Sequence, residues 1–156
     1  MIAFGFKMDA FKRSFFDRTA VMKKMDAKTH RALSAFGAFV RRTARSSIRK
    51  SKGISKPGQP PHAHGAKGIK EIFFGYDKAK KTVVIGPVLL NATAQPAGKT
   101  VPELLESGGQ VSVTEKDGKV TLMFYRARPF MKPAFDNEKQ NAKLQKLFGE
   151  AGIPLA

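Results

Sequence analysis

Cysteine is absent from this chain of 156 residues. Disulfides and thiolate metal sites are therefore excluded, which fits assembly in an intracellular compartment. Acids are scarce: 12 Asp and Glu stand against 29 Lys and Arg, a formal net charge of +17. Long apolar runs are missing too. No stretch approaches the ~20 residues of a membrane-spanning helix, so no membrane is expected among the partners. The opening MIAFGFKMDAF is broken by Gly5, Lys7 and Asp9 and makes a poor signal peptide. Common catalytic signatures are also lacking. There is no GxSxG nucleophile elbow, and the glycine-rich pieces GQPPHAHG and ESGG lack the GxxxxGK(S/T) and GxGxxG spacings that cradle phosphates. These absences argue against an enzyme.

What is present is apolar mass, 42% of residues with 13 Phe. That suffices for a single domain over residues 1–156, burying roughly two thirds of its unfolded surface. The positive charge is uneven, with +12 on residues 1–56 and +5 on the remainder. Such a field favours a polyanion: DNA, RNA, an anionic surface or an acidic protein. It carries no sequence readout, because phosphate attraction is blind to sequence.

Periodicity predicts the elements. Ile2, Phe4 and Phe6 alternate as in a short strand, and Met8 to Asp17 suit a helical turn or two. A long helix is predicted from about Thr19 to Arg49, with Met22, Met25, Leu33, Phe36, Val40, Ala44 and Ile48 on one face. Gly37 inside it costs about 1 kcal/mol relative to Ala, which a close neighbour would explain. The other face carries Lys23, Lys24, Lys28, Arg31, Arg41, Arg42 and Arg45. Residues 51–68 hold three Pro and four Gly and form a long loop. A hairpin follows, Ile69 to Tyr76 with Thr82 to Pro87. After a second loop at 87–99, Thr100 caps a short helix, VPELLES, that stops at Gly108-Gly109. A second hairpin turns at Asp117-Gly118, with Val111, Val113, Val120, Leu122 and Phe124 as its buried face. The last helix is predicted from about Pro133 to Phe148, with Phe135, Leu144, Leu147 and Phe148 apolar, and ends at Gly149, Gly152 and Pro154.

The expected fold is α+β: a long N-terminal helix and a C-terminal helix packed on a mostly antiparallel sheet of four or five strands. The sheet's second face would present Phe73, Val84, Met123 and Tyr125. Either another subunit or the chain's own loops would cover it.

Candidate chemistry is thin. His62-Ala-His64 is a possible metal pair, but the remaining histidine is His30 on the long helix, and no acid lies within six residues of the pair. Glu103 and Glu106 lie one turn apart without a partner histidine, as on a solvated helix face. No catalytic residue, metal or cofactor is expected. The end of the basic helix, with Arg41, Arg42, Arg45, Arg49 and Lys50, is the candidate contact for DNA or an acidic partner. Few aromatics interleave with these charges, so base stacking is not indicated.

The most informative segment is RARPFMKPAF, Arg126 to Phe135. Pro129 and Pro133 stiffen it as a strand-to-helix elbow. Arg126, Arg128, Phe130 and Met131 are the candidate docking groups. Together with AFVRRTARSSIRK (Ala38–Lys50), SKPGQPPHAHG (Ser55–Gly65) and VPELLESGG (Val101–Gly109), it resembles the neck and tail-completion proteins of tailed bacteriophages, the minor tail protein Z-like and head–tail joining group. The resemblance covers residues 19–135. Arg128, Pro129, Phe130 and Pro133 match the elbow, and Pro57, Gly58, Pro60, Pro61 and His62 match the loop. Where the family often has Glu-Phe-Gly, this chain has Glu106-Ser107-Gly108.

The resemblance implies a structural α+β subunit without catalytic residues. It implies a homo-oligomeric ring, expected to be hexameric, in the virion neck between head and tail, assembled in the bacterial cytoplasm. Head-closure, tail-terminator or tail-tube proteins would be its neighbours, and double-stranded DNA would pass through it. Pro57, Pro60, Pro61 and His62 would join the elbow in subunit contacts, and both long loops would order on assembly. Two alternatives are a tail terminator or head-closure protein, and a free non-specific nucleic-acid-binding protein.

Overall fold

A computed structural model describes residues 18–65, 68–88, 100–114 and 118–153. Its elements are α1 (Arg18–Ser47), β1 (Ile72–Asp77), β2 (Thr82–Pro87), α2 (Val101–Ser107), β3 (Gly109–Thr114), β4 (Val120–Tyr125), α3 (Met131–Lys139) and α4 (Ala142–Ala151). The strand and turn expected before α1, Asp117 of the second hairpin turn, Pro154 and most of the second loop lie outside the described residues.

Helix α1 is the hub. Phe36, Val40, Ala44 and Ile48, at its predicted apolar spacing, are all buried. Met22 and Met25, on the same stripe, stay exposed. Two neighbouring faces of α1 meet different partners. Gly37 and Arg41, four residues apart, meet the first hairpin: Gly37 approaches Phe74 and Val83, and Arg41 donates from Nε to the Ile72 carbonyl at 2.7 Å. Phe36 and Thr43, seven apart, meet the C-terminal helices. Phe36 stands edge-on to Phe135 and Phe148, and the Thr43 hydroxyl donates to Glu138 at 2.5 Å. The core closes around Ile69, Ile72, Phe130, Ala134, Leu144 and Ala151.

Gly37 is explained by this packing. A Cβ there would lie 2.7 Å from Phe74 Cδ2 and 2.9 Å from Val83 Cγ2. Gly37→Ala gains about 1 kcal/mol of helix propensity but overpacks the contact, at about 1–3 kcal/mol. A net loss of about 1 kcal/mol is expected, read as a lowered urea midpoint. A midpoint above wild type would show that the hairpin does not sit this close.

The sheet differs from expectation. The four described strands form two separate antiparallel hairpins, β1–β2 and β3–β4, and not one sheet of four or five strands. Alternation specifies strands and local partners but not which hairpin edges meet. Here α1 covers one face of β1–β2, while the second hairpin hangs from the elbow at its base. Its register also corrects the predicted buried face. Val111 pairs with Met123, whereas Leu122 pairs with Ser112 and Phe124 with Gln110. Cross-strand partners share a face, so Leu122 and Phe124 lie opposite to Val111. Val111 is buried, but Val120, Leu122 and Phe124 are exposed, Phe124 at 76%. On the first hairpin, Phe73 and Val84 point outward, 58% and 69% exposed.

The C-terminal helix is likewise not continuous. It starts at Met131, placing Pro133 in the first turn, and breaks after Lys139. Asn141 then caps α4: its side chain accepts from the Lys143 N–H at 3.1 Å and donates to Glu138 at 2.8 Å. Glu138, buried against α1, thus ties the break to the hub. Gly152 ends α4 in the left-handed conformation, φ 67°.

Candidate functional site

The elbow is the centre of a junction with the end of α1, the loop that follows it and the end of α2. Strand β4 ends at Tyr125 and α3 begins at Met131. Between them the backbone is claimed from both sides. The Arg128 N–H donates to the Leu105 carbonyl at 2.6 Å, and the Ala127 carbonyl accepts from the Gly58 N–H at 2.9 Å. The Arg128 side chain donates from Nε to the Ser55 carbonyl at 3.1 Å. The loop is in turn bound to the end of α1: the Ala63 N–H donates to the Arg49 carbonyl at 2.8 Å, and the Ser51 N–H to the Ala63 carbonyl at 3.2 Å. His62 donates from Nδ1 to the Gly53 carbonyl at 2.8 Å. Residues 51–65 are therefore tied to the end of α1 and to the elbow of the same chain.

Glu106 completes the junction, and sequence reasoning missed it. It is not a member of a solvated carboxylate pair. Its Oε2 accepts from the N–H groups of Phe130 and Met131 at 3.0 and 3.1 Å, and its Oε1 from that of Lys132 at 2.7 Å. These are the orphan donors at the start of α3, and the helix dipole favours a negative charge there. Phe130, at the cap position, makes no side-chain cap of its own, so a remote carboxylate does the work of a local Ser or Asp. Glu103 serves its own helix instead, accepting from the Thr100 N–H and hydroxyl at 2.7 and 3.0 Å. The detectable signal was an α3 start without a local capping residue beside an acid in the preceding helix.

Gly108 lets the segments close. It sits at φ 70°, and a Cβ on it would lie 3.0 Å from both the Ala127 nitrogen and the Tyr125 carbonyl oxygen. Only glycine suits that backbone and that space.

The expected docking residues divide. Phe130 is 1% exposed in the core and Met131 packs against it, so these two shape the fold. Pro61 is buried, Pro60 and His62 are half-buried, and Pro57 and Arg126 are exposed. Arg128 is half-buried and spent on the loop. His62 and His64 gather no metal set: among the described residues no three His, Cys, Asp or Glu cluster. His30 stands edge-on to Tyr76 instead, with ring centroids 4.6 Å apart.

The basic residues surround two open clefts. Arg41, Arg42 and Arg45 line one of about 600 Å3 with Phe39, Ser46 and Lys70. Arg49 lines a second of about 410 Å3 with Ser46, Gln59, Pro60 and His62. Ser46 borders both. Lys50 is exposed and its backbone bridges to Ala63.

No family model, curated protein or solved structure matches this chain. No described helix is long and apolar enough to cross a membrane.

Proposed function

We propose that the chain is a non-enzymatic structural protein of the head–tail interface of a tailed phage, a neck or tail-completion subunit that assembles into a ring. One observation carries this reading. The four segments that bear the resemblance, spread from Ala38 to Phe135, join in a single hydrogen-bonded junction. A motif set whose members touch acts as one structural unit, as a shared frame would require. The junction is built of polar ties and a helix cap, which suits a frame.

The frame would fix three projecting parts relative to one another: the basic end of α1, the outer face of β1–β2 and the second hairpin. Exposed Phe73, Val84, Leu122 and Phe124 would be the apolar groups available to neighbouring copies or to head-closure, tail-terminator or tail-tube proteins. The uncompensated charge on α1 also favours a second reading, a free nucleic-acid-binding protein. Deleting the chain from the phage that encodes it separates the two. Filled heads and finished tails should accumulate unjoined, and the purified protein should restore joining. Normal yields of infectious particles without it would overturn the neck assignment.

A further inference from the structure

We propose that the cleft between α1 and Lys70 is a binding site for the phosphate backbone of double-stranded DNA. Four cations, Arg41, Arg42, Arg45 and Lys70, line it. Outside this lining, Lys143 Nζ lies 5.9 Å from the centre of the Phe39 ring. Two ion pairs occur among the described residues, Lys81–Asp26 and Lys132–Asp136, and neither involves these cations. A concave group of like charges with no acid in its lining raises a positive potential and attracts a polyanion.

The arrangement is a track and not a point. Arg41 and Arg45 are four residues apart, about 6 Å along the helix, on the scale of successive phosphates of one strand, and Arg49 follows just past the helix end at Ser47. The second cleft shares Ser46 with the first and brings Arg49 to its lining. Arg41 is oriented by its bond to the Ile72 carbonyl, so part of the site is pre-set.

Duplex is favoured over single strand. Phe39 is the aromatic of the cleft, and Arg42 lies over its ring at 4.6 Å. The ring is engaged with cations and is not an open platform for base stacking. An acidic protein is the weaker occupant, since its carboxylates would have to repeat at the same interval. The proposal rests on the neck reading only for the presence of DNA nearby. Its assay uses the purified chain, so it can fail while particle joining succeeds, and the reverse.

The test is fluorescence anisotropy of a short random-sequence duplex titrated with full-length protein at several salt concentrations. Arg42→Ala/Arg45→Ala/Lys70→Ala is compared with Lys23→Ala/Lys24→Ala/Lys28→Ala, which removes the same charge from the far end of α1. Each lost phosphate contact lowers the slope of log K against log salt by about 0.9. The cleft variant should lose roughly 2.7 units of slope and the control little. Equal losses in both would reduce the binding to net charge and overturn the site. So would absence of duplex binding by wild type, or displacement of duplex by polyglutamate at lower concentration than by unlabelled duplex. On wild-type protein, duplex should protect Lys70 from acetylation while Lys23 and Lys24 stay reactive. Protection of all three alike would also overturn it.

Discussion

Phe130→Ala is expected to remove about 3–5 kcal/mol of stability, the range for emptying a buried phenylalanine site. Phe130 is 1% exposed and lies in the core cluster with Ile48, Ile72, Ala134 and Leu144. A domain of ordinary stability has about 5–15 kcal/mol in total, so this change brings the fold close to collapse. Urea denaturation followed by circular dichroism would show it as a large drop in midpoint. The matched comparison is Phe124→Ala, at a side chain 76% exposed, where a change within about 0.5 kcal/mol is expected. If Phe130→Ala melted like wild type, the side chain would be available to a partner after all. The joining role proposed for the elbow therefore cannot be probed by removing Phe130, because failure to join would follow from failure to fold.

Glu106→Ala is expected to cost about 2–3 kcal/mol. The carboxylate satisfies three N–H groups at distances of 2.7 to 3.1 Å. Loss of an ordinary N-cap costs about 0.5–2 kcal/mol, and hydrogen bonds to a charged group are worth about 1.5–3 kcal/mol each before relaxation. Water can reach part of the helix start once the side chain is gone, which keeps the total below a simple sum. Glu106→Gln keeps one acceptor oxygen and loses the charge, so an intermediate loss is expected. Hydrogen exchange gives a local readout: the amides of Phe130, Met131 and Lys132 should exchange faster in Glu106→Ala, while those in the middle of α1 change only with global stability. Unchanged exchange at these three amides would remove Glu106 from the junction.

The limits of the sequence lie where long-range choices enter. The stripe Phe36, Val40, Ala44 and Ile48 was legible because helical spacing depends on neighbours within one element. The two hairpins were legible for the same reason. That they stay apart was not, since nothing in a strand's own pattern states which edge it meets. The register of the second hairpin was misread because both its faces carry apolar residues, so alternation alone does not choose between them. The break at Asn141 was written in the sequence as an Asn before Ala-Lys-Leu, inside the gap between Phe135 and Leu144 that the single-helix reading spans. Glu106 was hidden because its partners are 24 to 26 residues away and no local pattern announces a remote cap. Of the candidate site, the segments themselves were legible. Their meeting at the elbow required the structure.

The place proposed for this frame is a ring at the head–tail junction. The measurement that tests it most directly is an electron-microscopic map of purified particles, with this chain identified by an antibody or a fused tag. A closed ring of copies between head and tail is expected, with Arg41, Arg45 and Arg49 turned toward the DNA path and the exposed faces of the two hairpins at its subunit contacts. Absence of the chain from mature particles, or its placement on the head shell or along the tail shaft, would contradict it.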